Sequence, residues 1–357
     1  MDQTQCLVIN MDGHEDRFEK VKAELAKANV PNVTRLPAVV GKNIPFSKRL
    51  DHFENPLLGA VFPKSGLGCS LSHRKAWKLA AESKSPYTVV LEDDVRWFSD
   101  VDVRTVWQRV SNAVQNKKDF DVFLLGYYGD ADPLLEGPKD PLVPLIGMVA
   151  KTADTSGDDG GEVFRPARLC GSHAYIVSRS GARKLLQIQP KVAFHQDVEL
   201  GNLSADNKIN MVAIRPQVLK QDHSGSSQAT ASPYAMTPLL EAVYPSAEHI
   251  QPVDFSARFP IMEVGTYKVS LWHFLVGGLS YAGGILNSNT TAAFVVGSLV
   301  LGCLLALDSL LVGGVRPQGW TLLLDALIFG GLFAAFGSMT RCALDWCVDC
   351  TKCWNRR

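Results

Sequence analysis

Three acids follow an apolar run in "VVLEDDVRWF", residues 89–98: Glu92, Asp93 and Asp94. The surrounding "PYTVVLEDDV" reads as a strand, a short apolar run with polar flanks. Side chains alternate along a strand, so Glu92 and Asp94 are expected on one face and Asp93 on the other. Two carboxylates at i and i+2, at the carboxyl end of a strand, form a hard oxygen site. Such a site suits Mg²⁺ or Mn²⁺ that keeps open positions for phosphate. Open α/β sheets collect their ligands at that edge. A second reading needs no metal, with Asp93 or Asp94 capping a following turn.

The elements that must hold these acids are legible around them. "QCLVIN" reads as a first strand. A helix is expected over residues 14–29, with Phe18, Val21, Leu25 and Ala28 on one stripe and Pro31 marking its end. "VTRLPAVVGK" gives a second strand, and residues 41–67 read as an irregular loop over a site. "LSHRKAWKLAAES" is the helix that leads into the acid-bearing strand. Further on come a helix near 102–116, strands in "DFDVFLLGY" and "SHAYIVS", the helix "SGARKLLQI" and the strand "INMVAIRPQVL". Residues 130–168 are long and rich in Pro, Gly and Asp, either a lid or a disordered insertion. Strands alternating with helices predict an α/β layered fold.

The charge distribution divides the chain. Basic and acidic residues balance at 36 each, which gives no electrostatic argument for a nucleic-acid partner. Only nine of these charges lie beyond residue 270, and Val269–Leu307 holds none. The expected organisation is a soluble domain over 1–265, a membrane region over 266–341, and a cysteine-rich basic tail over 342–357. Residues 291–315 and 319–340 are each long enough to span the hydrocarbon layer, and 271–286 reads as an interfacial segment or a third span. Asp308 and Asp325 interrupt the spans, facing protein or reaching the interface. Arg341, Lys352, Arg356 and Arg357 favour the cytoplasmic side for the tail, and with two spans the soluble domain shares it. The N-terminus lacks a secretory pattern, which agrees with that side. Cys6, Cys69 and Cys170 are too few and too scattered for a disulfide framework and are expected as thiols. In the tail, Cys342, Cys347, Cys350 and Cys353 are open to acylation, zinc binding, or no modification.

The chain resembles glycosyltransferase family 25 through most of residues 5–228. The resemblance rests on "LVINMDGHEDRFEKV", "GLGCSLSHRKAWKLA", "YTVVLEDDV", "GSHAYIVSRSGARKLL" and "RPQVLKQDHSGSS", in the family's order. It implies a GT-A-type (Rossmann-like) fold, a UDP-sugar donor, a divalent metal and inversion at the anomeric carbon. "LEDD" looks like the family's version of the D-x-D motif. On that basis Asp94 is the metal ligand, Glu92 reaches the metal or the donor ribose, and Asp93 serves if the strand ends early. His223, with Asp222 competing, stands where a late loop often supplies a further ligand; its alternative is an ordinary surface histidine. The resemblance puts Asn10 and Arg17 beside the nucleotide, although Arg17 also fits a solvated helix face. Ser72 and His73 match the family's "SH" pair, and His73 either contacts donor phosphate or caps its own helix.

Inversion requires a base for the acceptor hydroxyl. "HQDVEL" offers Asp197 for that role, with Glu199 in reserve; Asp197 also fits a structural acid pairing Arg183 or Lys184. The expected protein is therefore a membrane-anchored, Mn²⁺- or Mg²⁺-dependent hexosyltransferase. It would move galactose or glucose from a UDP-sugar to a glycan, a lipid-linked acceptor or a protein. The competing expectation keeps the fold without the chemistry, as a scaffold or sugar-binding protein. The membrane region is not general in the family, which leaves the acceptor open.

Overall fold

The computed structural model describes residues 4–97, 102–127, 163–166, 171–221, 260–264, 267–287, 289–312 and 323–354. They fall into two compact units, one ending at Gln221 and the other starting at Pro260. The first unit holds strands β1 (Gln5–Asn10), β2 (Val33–Pro37), β3 (Tyr87–Glu92), β4 (Val95–Trp97), β5 (Val122–Leu124), β6 (Val163–Phe164), β7 (Ala174–Ser178), β8 (Met211–Ile214) and β9 (Leu219–Gln221). Its helices are α1 (Glu15–Lys27), α2 (Phe46–Arg49), α3 (Pro56–Val61), α4 (Lys64–Glu82), α5 (Val103–Asn116), α6 (Arg179–Ile188) and α7 (Gln196–Ala205).

A mixed sheet runs in the order β2-β1-β3-β7-β5-β8-β6. β1 is parallel to β2 and β3, and β7 is antiparallel to β3 and β5. Alternation along the strands divides the core into two layers. Cys6, Val8, Val89, Leu91 and Ile176 face one cluster with Phe18 and Leu25 of α1 and Trp107 and Val110 of α5. Leu7, Val90, Tyr175, Val177 and Met211 face the other, with Trp77 of α4, Leu185 of α6 and Leu200 of α7. Burial on both faces explains why these strands read as nearly continuous apolar runs. Helices therefore cover both sides of a central sheet, as the alternating pattern leads one to expect.

The region 41–67 differs from the irregular loop expected of it. It contains α2, α3 and two 3-10 turns, and Phe53, Phe62, Leu67 and Val192 close a small core of their own. Helix α4 also starts at Lys64, seven residues earlier than the apolar pattern suggests. Its Gly68 is the reason, despite the poor helix propensity of glycine. A Cβ on Gly41 would stand 2.8 Å from the Gly68 nitrogen, so loop and helix meet backbone to backbone. Ser72 fastens that contact: its Oγ accepts from Val39 N at 2.8 Å and donates to Gly68 O at 2.7 Å.

The second unit opens with the antiparallel pair β10 (Pro260–Val264) and β11 (Tyr267–Ser270). Helices α8 (Leu271–Ile285), α9 (Thr290–Val312) and α10 (Phe333–Trp354) follow, with a π-helical stretch over Ala326–Leu332 leading into α10. Among the described residues, Leu323–Val348 is the helix long and apolar enough to cross a membrane by length and composition, and Thr290–Cys303 is a shorter apolar helix. Glycines allow close helix packing: a Cβ on Gly330 would lie 2.9 Å from the Leu301 Cβ, and one on Gly337 2.9 Å from Ile285 N. Asp325 does not reach outward. It is buried, with Oδ1 3.6 Å from His273 Nε2. The side chain of Asp308 lies outside the described residues.

Candidate functional site

Strand β3 ends at Glu92, and Asp93 and Asp94 form the turn into β4. β4 pairs antiparallel with β9, placing Val95 opposite Gln221. That pairing brings a side chain from far along the chain onto the acids. Gln221 Nε2 donates to Asp94 Oδ2 at 3.0 Å and to Glu92 Oε2 at 3.4 Å. The second oxygen of Asp94, Oδ1, is buried without a hydrogen-bond partner among the described residues. Glu92 and Asp94 thus converge on one amide, although the strand expected to run through both stops at Glu92, so the turn rather than strand alternation brings Asp94 there. Asp93 turns the other way, accepting from Asn10 Nδ2 at 2.7 Å and pairing with Arg17 Nη2 at 2.7 Å. Arg17 also lies 3.5 Å from Asp94 Oδ2.

The other oxygen of Glu92 faces α4 and β7. His73 Nε2 and Ser172 Oγ each lie 3.4 Å from Glu92 Oε1. His73 Nδ1 is 3.0 Å from the Tyr175 hydroxyl, which accepts the Trp77 indole N–H at 2.9 Å. Indole nitrogen only donates, so the tyrosine proton is available to His73 Nδ1. The imidazole then carries its own proton on Nε2 and donates it to Glu92. A line of buried groups from Trp77 through Tyr175 and His73 therefore fixes one face of Glu92.

Protonation follows from these surroundings. Burial pushes Asp94 up to about 8, reinforced by the charge of Glu92 and only partly offset by Gln221. Burial also acts to raise Glu92, but His73, His173 and the Ser172 hydroxyl together hold its carboxyl below the usual value. Of this coupled pair, Glu92 carries the charge first and Asp94 keeps its proton longer. Asp93 sits above its ordinary value because burial outweighs Arg17 and Asn10.

The remaining sequence candidates separate. Asn10 ends β1, and its side chain also donates to His14 O at 2.7 Å and accepts from Arg35 Nε at 2.6 Å. Ser72 spends its hydroxyl on the loop contact described above. Asp197 lies in the first turn of α7, with Oδ1 accepting from Val198 N at 2.8 Å. Burial raises its pKa, and the charge of Glu92 raises it further. The basic residues considered as its partners are engaged elsewhere: Lys184 pairs with Asp121 at 2.7 Å, and Arg183 donates to Ala81 O. Glu199 faces a different set, Gln189, Asn202, Glu54 and Lys208, and is raised by burial. His223 and Asp222 lie outside the described residues.

Sequence reading missed Gln221, Tyr175, Trp77 and Arg35 as parts of this site. Gln221 stands in "RPQVLKQDHSGSS" beside His223, and Tyr175 stands inside the strand "SHAYIVS". Their contacts depend on strand pairings across most of the first unit, which no local spacing reveals.

An α/β protein with its acids clustered at the end of a sheet strand is the class these features define. Residues 3–129 match the family model described as glycosyltransferase family 25 (LPS biosynthesis protein), so this region carries that family's pattern. Procollagen galactosyltransferase 1-B of Xenopus laevis is 27% identical over 195 residues, which is 52% of this chain and 28% of that protein. Procollagen galactosyltransferase 1 of Danio rerio is 27% identical over 194 residues, 52% of this chain and 29% of that protein. A Bos taurus relative, 25% identical over 193 residues (52% and 29%), is named probable inactive glycosyltransferase 25 family member 3. The chain thus covers under a third of the length of these relatives.

Proposed function

We propose that this chain is a membrane-anchored, metal-dependent inverting glycosyltransferase of GT-A type. It moves a hexose, galactose before glucose, from a UDP-sugar to a glycan, lipid-linked or protein acceptor. The single observation that carries the reading is the convergence of Glu92 and Asp94 on one amide, with a buried Asp94 oxygen left without a partner among the described residues. An isolated buried carboxylate oxygen is costly, and a cation would relieve it. Two carboxylates fit Mn²⁺ or Mg²⁺ better than a softer ion. Asp94 and Glu92 would hold that ion, and His223 would add a ligand from the late loop. When bound, the ion offsets the negative charge that develops on the departing diphosphate.

The chain's own residues do the rest. Arg17 and Asn10 orient Asp93 at the edge where the nucleotide is expected, and Arg17 adds positive charge beside Asp94. Asp197 takes the proton of the acceptor hydroxyl, and burial, by raising its pKa, makes it a stronger base. Glu199, facing other partners, is less suited. The names of the frog and fish relatives support galactose and a protein acceptor. The apolar Leu323–Val348 helix supports the anchor, with Leu327, Leu332, Phe336 and Met339 exposed along it. If a second helix also crosses, the basic tail favours a cytoplasmic active site.

The test is a screen of UDP-sugars for Mn²⁺-dependent hydrolysis, comparing the native chain with Asp94→Ala. Near-complete loss in a folded variant is expected; unchanged turnover would remove Asp94 from the metal site. The bovine relative's name favours a second reading, a sugar-binding protein without turnover. That reading predicts UDP-sugar binding with no hydrolysis of any donor.

A further inference from the structure

Cys69 and His73 are one helical turn apart on α4 and so project from the same side of the helix. Glu92 comes to them from the end of β3. One ligating atom from each of Cys69, His73 and Glu92 lies within 4.8 Å of the other two. His73 is fully buried, and the other two are partly exposed, which gives the group an entry side. A thiolate, an imidazole and a carboxylate are a different donor set from the Glu92–Asp94 pair. Sulfur and nitrogen select a borderline cation such as Zn²⁺ rather than Mn²⁺ or Mg²⁺. Tetrahedral zinc bonds of about 2.0–2.3 Å set ligand atoms roughly 3.3–3.8 Å apart, a contraction within the reach of side-chain rotation. Three protein ligands leave the fourth position to solvent.

The outer contacts suit metal binding as well. A metal-bound imidazole carries its proton on the other nitrogen and needs an acceptor there. Binding through Nε2 would shift the ring proton from Nε2 to Nδ1, where the Tyr175 oxygen, 3.0 Å away and itself held by Trp77, would accept it.

We propose that Cys69, His73 and Glu92 form a second cation site, selective for Zn²⁺ over hard divalent ions. The site shares Glu92 with the proposed Mn²⁺ site but does not depend on the sugar-transfer reading.

The test uses the full chain in detergent, with the tail substitutions Cys342→Ser, Cys347→Ser, Cys350→Ser and Cys353→Ser to silence the competing thiols. Cobalt serves as the spectroscopic probe, followed by displacement with zinc. One equivalent of Co²⁺ is expected to give a thiolate-to-metal absorption band that zinc abolishes. Adding Cys69→Ser should remove the band and weaken zinc by more than about tenfold, while adding Asp94→Asn should leave both in place. A missing band, or a band that survives Cys69→Ser, overturns the proposal. Zinc binding lost through Asp94→Asn also overturns it, because the ion would then belong to the Glu92–Asp94 pair. Mn²⁺-dependent hydrolysis reports on Asp94 and the cobalt band on Cys69, so each claim can fail alone.

Discussion

Replacing Tyr175 with phenylalanine removes one oxygen from the centre of the first unit. That oxygen accepts from Trp77 Nε1 at 2.9 Å and lies 3.0 Å from His73 Nδ1, and all three side chains are essentially inaccessible to solvent. The lost hydrogen bond to His73 costs about 1 kcal/mol net, and stranding the Trp77 indole N–H costs about 1–3 kcal/mol. The expected loss is therefore about 2–4 kcal/mol for Tyr175→Phe, since the ring itself still fills the site. Amide exchange of peptides covering β3 and β7 reads this directly, because their protection reports the opening free energy of the sheet. Protection should fall about thirtyfold to a thousandfold. A second readout is the His73 ring, whose proton is no longer confined to Nε2 and whose nitrogen resonances should shift. A fall in protection of less than about threefold, with an unchanged imidazole, would refute the buried line from Trp77 to Glu92.

Two further outcomes follow from other parts of the structure. Without metal, the Asp94 pKa is about 8 in the fold against 3.8 unfolded, so its contribution is fully present below about pH 4 and is lost as pH rises through 8; Asp94→Asn should therefore gain thermal stability relative to the native chain on going from pH 6 to pH 9, and an unchanged difference would contradict the burial argument. In the second unit, Gly330→Leu adds a Cβ 2.9 Å from the Leu301 Cβ, and should lower stability in detergent by about 1–3 kcal/mol, whereas Gly278→Ala, with nothing within 4 Å, should be neutral or slightly stabilising.

Much of the framework could be read locally. The apolar runs at 5–10 and 87–92 and the stripe of Phe18, Val21 and Leu25 carry their own periodicity, so β1, β3 and α1 lie close to where the sequence puts them. The start of α4 was hidden because Gly66 and Gly68 look like helix breakers until Gly68 is seen to meet the loop at Gly41 and Gly66 to leave room for the Phe62 and His195 rings. The acids show a similar limit. Strand spacing stops at Glu92, so neither the turn that holds Asp93 and Asp94 nor the partner each one takes is legible locally. Asp93 is claimed by Asn10 and Arg17 from β1 and α1, and Asp94 by Gln221 from β9. Ser72 shows the reverse, a motif residue whose hydroxyl is consumed in holding Val39.

The most direct test of the central claim is the linkage between Mn²⁺ and UDP, measured by titrating each in the presence and absence of the other. The account predicts that each tightens the other severalfold in the native chain, and that Asp94→Asn abolishes this coupling while the fold persists. Independent binding of the two ligands, or coupling that survives Asp94→Asn, would contradict it.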